Sequence, residues 1–196
     1  MGPLVICMAT CNRAYEKKLD MLGKKDSKQL SAKQREEILK ELEKICSFKW
    51  IAVSAVDLNK LMDTKSLNEI EATVMASLIK QVKEGDIMID LPDRYSYTFK
   101  RRMDKLGVKK FEAEHKADEN YPIVAAASIC AKVTRDKMVA EIREIIGDFG
   151  SGYPSDPKTI KMLKEKGWIE KAKLYIRSKW KTLENFKQKK LFEEGT

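Results

Sequence analysis

The sequence is 196 residues long, 43% hydrophobic and 35% charged, with a formal net charge of +9 at neutral pH. That length suits one large domain, or a domain with a helical appendage, and no apolar run is long enough to cross a bilayer. The four cysteines (Cys7, Cys11, Cys46, Cys130) contain no CxxC pair and the chain has one histidine, His115, which excludes most structural zinc patterns and suits a reducing, cytoplasmic setting.

The chain opens "MGPLVICMAT". Leu4 to Ala9 reads as a buried strand bounded by Gly2-Pro3 and by Cys11-Asn12-Arg13, and no basic region precedes it as a signal peptide requires. A polar, lysine-rich loop, "KKLDMLGKKDSKQLSA", follows. Ser31 with Gln34 forms a capping-box pattern, and Ile38, Leu39, Leu42 and Ile45 make one apolar helical face behind it. "WIAVSAV" predicts a second strand, and "SLNEIEATVMASLIKQV" a helix with Leu67, Ile70, Val74 and Leu78 in step. "DIMIDL" predicts a third strand closed by Pro92-Asp93. A helix over 94–106 is ended by Gly107, and "KKFEAEHK" predicts a fourth strand. Residues 121 to 146 form a long alanine-rich helix. The loop "GDFGSGYPSDP" is dense in turn residues, Asp156-Pro157 starts a helix, and a lysine-rich helical tail completes the chain. Strands alternating with helices indicate an α/β domain with some parallel pairing. The expected division is 1–150 for the body and 151–196 for a loop and basic helical part packed on it.

Charge is concentrated in that tail. From Lys158 to Lys190 there are twelve Lys/Arg against three Asp/Glu, whereas residues 1–157 are nearly balanced. A basic tail on a neutral body is the footprint of a phosphate-backbone partner, although a solvated lysine-rich helix has the same composition.

Three residues stand out for chemistry. Asp90 ends a predicted strand, where ligands sit in open α/β sheets; alternatively it only begins a turn, with Asp93 the better helix cap. Asp136 falls mid-helix near Ala125, Ile129, Val133 and Ala140, where a carboxylate is costly unless it is metal-bound or paired, for instance with Lys132. Tyr153, between Gly152 and Pro154, is placed to stack on a sugar or base, or simply to plug its loop onto the body. Trp168, Tyr175 and Trp180 interleave with the tail cations; docking of the tail explains the aromatics, and backbone contact explains the cations.

Singly these signals are weak, but "GPLVI", "KDSKQLS", "SLNEIEA", "IMIDLPD", "HKAD", "YPIVAAASICAKVTRD", "GSGYPSDP" and "KWKTL" follow one another in an informative order. Over roughly residues 2 to 183 the sequence resembles type 2 ribonuclease H (ribonuclease HII), with an archaeal flavour. The resemblance implies a ribonuclease H-like α/β fold, a five-stranded mixed sheet flanked by helices. It implies an endonuclease that cuts the RNA strand of RNA–DNA hybrids and incises duplex DNA 5′ to an embedded ribonucleotide, by two-metal catalysis with Mg2+ or Mn2+. Asp90 and Asp136 match the family's metal ligands, and Tyr153 the tyrosine that senses the junction ribose. Ser27 and Lys28 match a loop, and Asn68 a helix start, expected near the substrate backbone. No membrane association is expected, and the chain is expected to be a monomer.

The family's opening strand, with its Asp-Glu pair and Gly-Arg-Gly turn, is not found in this sequence. Its first central strand is therefore expected to be missing, with the natural product extending upstream by about a dozen residues. The 196-residue form is expected to lack hydrolytic activity. The competing expectation is a hybrid-binding pseudonuclease that keeps the basic tail and Tyr153 without turnover; a helical scaffold with merely solubilising lysines is a third.

Overall fold

The computed structural model describes residues 1–23 and 30–179. Strand β1 (Leu4–Cys11) leads through a short 3-10 turn (Arg13–Tyr15) into α1 (Glu16–Gly23). Then come α2 (Ala32–Leu42), β2 (Cys46–Val53), α3 (Ala55–Leu61) and α4 (Leu67–Ile79). Next are β3 (Met88–Asp90), α5 (Ser96–Lys105), β4 (Glu112–Glu114), α6 (Ala117–Asn120) and the 25-residue α7 (Pro122–Ile146). The described chain ends with α8 (Pro157–Met162), α9 (Lys166–Ala172) and a 3-10 turn (Lys173–Tyr175). The expected four strands are present among the described residues, pairing two by two, β1 with β2 and β3 with β4, rather than as one continuous sheet.

Local chemistry explains most boundaries. Ser31 and Gln34 exchange hydrogen bonds in a complete capping box at α2, and Ser66 and Glu69 do the same at α4. Gly107, at φ 78°, follows the end of α5, and Asp156 caps α8 with Pro157 in its first turn. Three expectations are corrected. The lysine-rich segment after β1 begins as helix α1, because Leu19 can bury against the neighbouring core. The second strand starts at Cys46 rather than Trp50. It stops at Val53, because the Ser54 hydroxyl accepts from the Asp57 N–H and turns Ala55-Val56 into the start of α3. Asp93 does not cap α5; the cap position is Tyr95.

The chain divides into two compact units. One comprises Val5–Ile51 and Lys65–Thr134 and holds two apolar clusters. The first packs Leu19, Leu39, Leu42 and Ile45 with Ala126, Ile129, Cys130 and Val133 of α7. The second packs Ala72 and Ala76 of α4 and Ile89 of β3 with Phe99 and Met103 of α5. Phe99 and Met103 are completely buried, each contributing about 1.5–3 kcal/mol of transfer free energy. The other unit comprises Met1–Leu4, Ala52–Thr64 and the chain from Arg135 onward. Its core joins Val139, Ile142 and Ile146 to Phe149, Leu163, Trp168, Ala172 and Ile176. Trp168 thus docks its helix on this core, as expected; Trp180 lies outside the described residues.

The cysteines are free thiols, Cys46 and Cys130 buried, Cys7 and Cys11 partly so. Burial, with Cys11 beside it, pushes the Cys46 thiol up to about 12.

Candidate active site

Asp90 is the last residue of β3, which runs parallel to β4 with Ile89 opposite Ala113 and Asp90 opposite Glu114. Strand alternation sends Ile89 into the core and leaves Asp90 exposed. One carboxylate oxygen, Oδ1, accepts the Ala117 N–H at 3.1 Å. That amide is aimed by Lys116, which adopts the left-handed conformation (φ 59°, ψ 33°) just ahead of α6. A costly backbone turn therefore fixes the orientation of a strand-end carboxylate.

Three residues further on, Asp93 is buried, 3% exposed. Its two oxygens accept from Asn68 Nδ2 and Arg102 Nη1. A buried carboxylate needs such partners, and here a side-chain amide and a guanidinium satisfy it. Asn68, expected near the substrate, serves at least as the brace between α4 and the segment that follows Asp90.

In the other unit, Asp136 lies on α7 with 29% of its side chain exposed, beside Arg135 Nη1 at 3.4 Å. Arg135 is itself buried. It donates to Ser151 O at 3.0 Å and to Met1 O at 3.2 Å, and its guanidinium lies 3.7 Å from the centre of the Tyr153 ring. Tyr153 stays 40% exposed, so its loop presents one face of the ring while Arg135 holds the other.

That loop is held internally. Phe149 is buried in the core, and its carbonyl accepts from Thr159 Oγ1, which in turn accepts the Gly152 N–H. Asp156 accepts the N–H groups of Ser151 at 2.6 Å and Lys158 at 2.9 Å. Hydrogen bonds from Ser151 above all hold its carboxyl down to about 2. A Cβ on Gly150 (φ 82°) would stand 2.4 Å from Asp156 Oδ2, so this position needs glycine for space as well as for conformation.

Sequence reasoning singled out Asp90, Asp136 and Tyr153 as candidates but did not anticipate the contacts of Arg135 and Arg102 or the burial of Asp93. A signal for Arg135 existed: it stands in register with Val139, Ile142 and Ile146, the buried stripe of α7, at i, i+4, i+7 and i+11. Ser27 and Lys28 lie outside the described residues.

The donor chemistry fits a hard divalent cation. Mg2+ and Mn2+ prefer oxygen ligands, and Mg2+ commonly takes only one or two carboxylates together with water and substrate phosphate. Among the described residues no three His, Cys, Asp or Glu cluster closely enough to form a complete protein cage. Asp90 and Asp136, each exposed to solvent and each oriented by a fixed donor, suit such partial ligation.

A family model described as ribonuclease HII matches residues 1–183. The chain belongs to the ribonuclease HII family. The ribonuclease HII of Archaeoglobus fulgidus is 42% identical over 193 residues, covering 97% of this chain and 92% of its own. That of Methanocaldococcus jannaschii is 36% identical over 99% of this chain and 94% of its own. Among solved structures, the PCNA:RNase HII complex from Archaeoglobus fulgidus contains a chain similar to this one at a TM-score of 0.84 and 41% identity, covering 94% of this chain and 89% of that one. The ribonuclease H2 of Pyrococcus horikoshii aligns at a TM-score of 0.76 and 31% identity, covering 96% and 93%. A Bst-RNase HIII structure in complex with Mn2+ shares the fold at a TM-score of 0.74 and 19% identity, covering 93% of this chain and 63% of that one. The fold is thus ribonuclease H-like α/β, and ribonuclease HII is a metal-dependent endoribonuclease family acting on RNA–DNA hybrids. These matches give no support to the expectation of an inactive chain. No helix among the described residues is long and apolar enough to cross a membrane.

Proposed function

We propose that this chain hydrolyses the RNA strand of RNA–DNA hybrids and incises duplex DNA 5′ to an embedded ribonucleotide, with Asp90 and Asp136 as ligands for Mg2+ or Mn2+ and Tyr153 against the ribose at the junction. The observation that carries this assignment is the way each carboxylate is held. Asp90 is oriented by the Ala117 amide and Asp136 by Arg135, yet both remain open to solvent. Pre-oriented ligands lose little freedom on binding, which favours binding a cation together with a phosphate.

Divalent metal, when bound, supplies an activated water and stabilisation of the leaving oxygen. The chain supplies orientation. The Ala117 N–H withholds one Asp90 oxygen from rotation, and the guanidinium of Arg135 fixes the plane of Tyr153. A phenol ring so fixed can lie against a sugar and bring its hydroxyl to the 2′-OH, the one group that separates RNA from DNA at a given site. The basic tail contributes sequence-independent attraction for the backbone.

The test uses a hybrid and a duplex carrying one ribonucleotide, each end-labelled. The wild-type chain cleaves both only with Mg2+ or Mn2+. Asp90→Asn and Asp136→Asn each lower cleavage by about a hundredfold or more while hybrid affinity is kept. Salt-sensitive binding without cleavage by the wild-type chain under any metal would instead establish the pseudonuclease.

A further inference from the structure

Tyr95 and Tyr97 stand out among the exposed residues outside the site described above. They are 50% and 68% exposed, yet their rings stack on each other, with centroids 5.7 Å apart and planes inclined by 25°. The Arg94 guanidinium lies 5.3 Å from the Tyr95 ring centre. Two water-facing aromatic rings bury little apolar surface from the protein's own core; Phe99 and Met103 already fill that role for α5.

The local helix chemistry points the same way. Tyr95 occupies the N-cap position of α5, where Ser, Thr, Asp or Asn would satisfy a free amide, and it makes no side-chain cap bond. The sequence forgoes a cap here in favour of a ring. Lys100 and Arg101 follow Tyr97 at i+3 and i+4, the spacings that place side chains on one helix face, and both are exposed. From Arg94 to Lys105 there are five Lys/Arg against one acid, Asp104. Of these, Arg102 is engaged by Asp93. The position is also firmly held: His115 Nε2 lies 3.3 Å from Arg94 O, and Asp93 ties the preceding turn to α4 and α5.

Exposed aromatic rings among cations on a rigid base are the elements of a single-strand stacking platform, on which unpaired bases stack and cations meet the backbone. Bases inside a duplex have no free face to offer. We infer that the Tyr95–Tyr97 pair, with Arg94, Lys100 and Arg101, binds an unpaired nucleobase of a single-stranded segment adjoining the hybrid. This rests on the reading above that the substrate is an RNA–DNA hybrid. It adds a contact outside the hydrolytic residues, in the segment directly after Asp90.

The experiment compares two fluorescein-labelled hybrids by anisotropy in EDTA, one blunt and one carrying single-stranded deoxynucleotide overhangs at both ends. The wild-type chain binds the overhanging hybrid about tenfold more tightly, the order expected of one base–aromatic stack. In the double variant Tyr95→Ala/Tyr97→Ala the ratio of the two affinities falls towards one; in Tyr95→Phe/Tyr97→Phe, which keeps the rings, it is preserved. Circular dichroism verifies that both variants are folded. Equal wild-type affinity for the two hybrids, or an overhang preference surviving in the double alanine variant, overturns the platform alone. Absence of binding to either hybrid overturns both the platform and the hybrid reading.

Discussion

Replacing Arg135 by alanine tests how the Tyr153 loop is held. The change removes hydrogen bonds to Ser151 O and Met1 O and the cation above the Tyr153 ring. A hydrogen bond from a charged donor contributes about 1.5–3 kcal/mol, and a partly desolvated cation–π contact about 1–2 kcal/mol. Direct addition overstates the loss, since the three contacts share one side chain and the loop carbonyls can turn to water. About 3 kcal/mol is expected for Arg135→Ala, and roughly half that for Arg135→Lys, which keeps the charge but loses the planar fork. In urea unfolding followed by circular dichroism, a loss of that size lowers the midpoint by roughly 1–2 M. A double-mutant cycle with Tyr153→Ala isolates the ring contact, for which a coupling of about 1 kcal/mol is expected. A loss below about 1 kcal/mol with no coupling would show that Asp156 and Thr159 hold the loop unaided, and the keystone role of Arg135 would fall.

Two further outcomes follow from the same structure. Asp156 has a carboxyl held down to about 2, against an ordinary value of 3.8, so its stabilisation is complete above 3.8 and is lost as the pH falls through 2. The wild-type melting temperature should therefore fall more steeply over that interval than that of Asp156→Asn, and parallel curves would refute the linkage. Asp93→Asn leaves Arg102 without its carboxylate; because 26% of the Arg102 side chain still reaches solvent, the expected loss is about 1–3 kcal/mol by thermal melting, below that of a fully buried pair.

Elements whose signal is local were legible in the sequence. Ser31 with Gln34, Gly107 after α5, Asp156-Pro157 and the long run of α7 each announce themselves within a few residues. Elements settled by tertiary packing were not. The beginning of β2, Cys46-Ser47-Phe48-Lys49, mixes apolar and polar residues without a clear stripe, and its strand conformation depends on the β1 pairing: Thr10 Oγ1 donates to Ser47 O and the Cys11 thiol to Ile45 O. Helix α1 carries one buried leucine among charges, too little for a periodic pattern. Asp90 and Asp136 were singled out as candidates through element ends and motif order, and the structure places Asp90 at the end of β3 and Asp136 on α7. Asp93 was misjudged as a cap, because its partners Asn68 and Arg102 lie 25 and 9 residues away, and no local rule reveals a carboxylate whose neutralisation comes from another helix.

Arg135 and Asp136 are consecutive in the chain, and that adjacency constrains any attempt to redesign the molecule. On the proposed assignment one supports the ring that inspects the sugar and the other serves the cleavage chemistry, with 3.4 Å between their charged groups. A library randomised at Arg135 to broaden sugar tolerance would at the same time alter the electrostatic surroundings of Asp136. Selectivity and turnover would then be traded together, because no substitution at Arg135 reaches the ring without also reaching the neighbouring carboxylate.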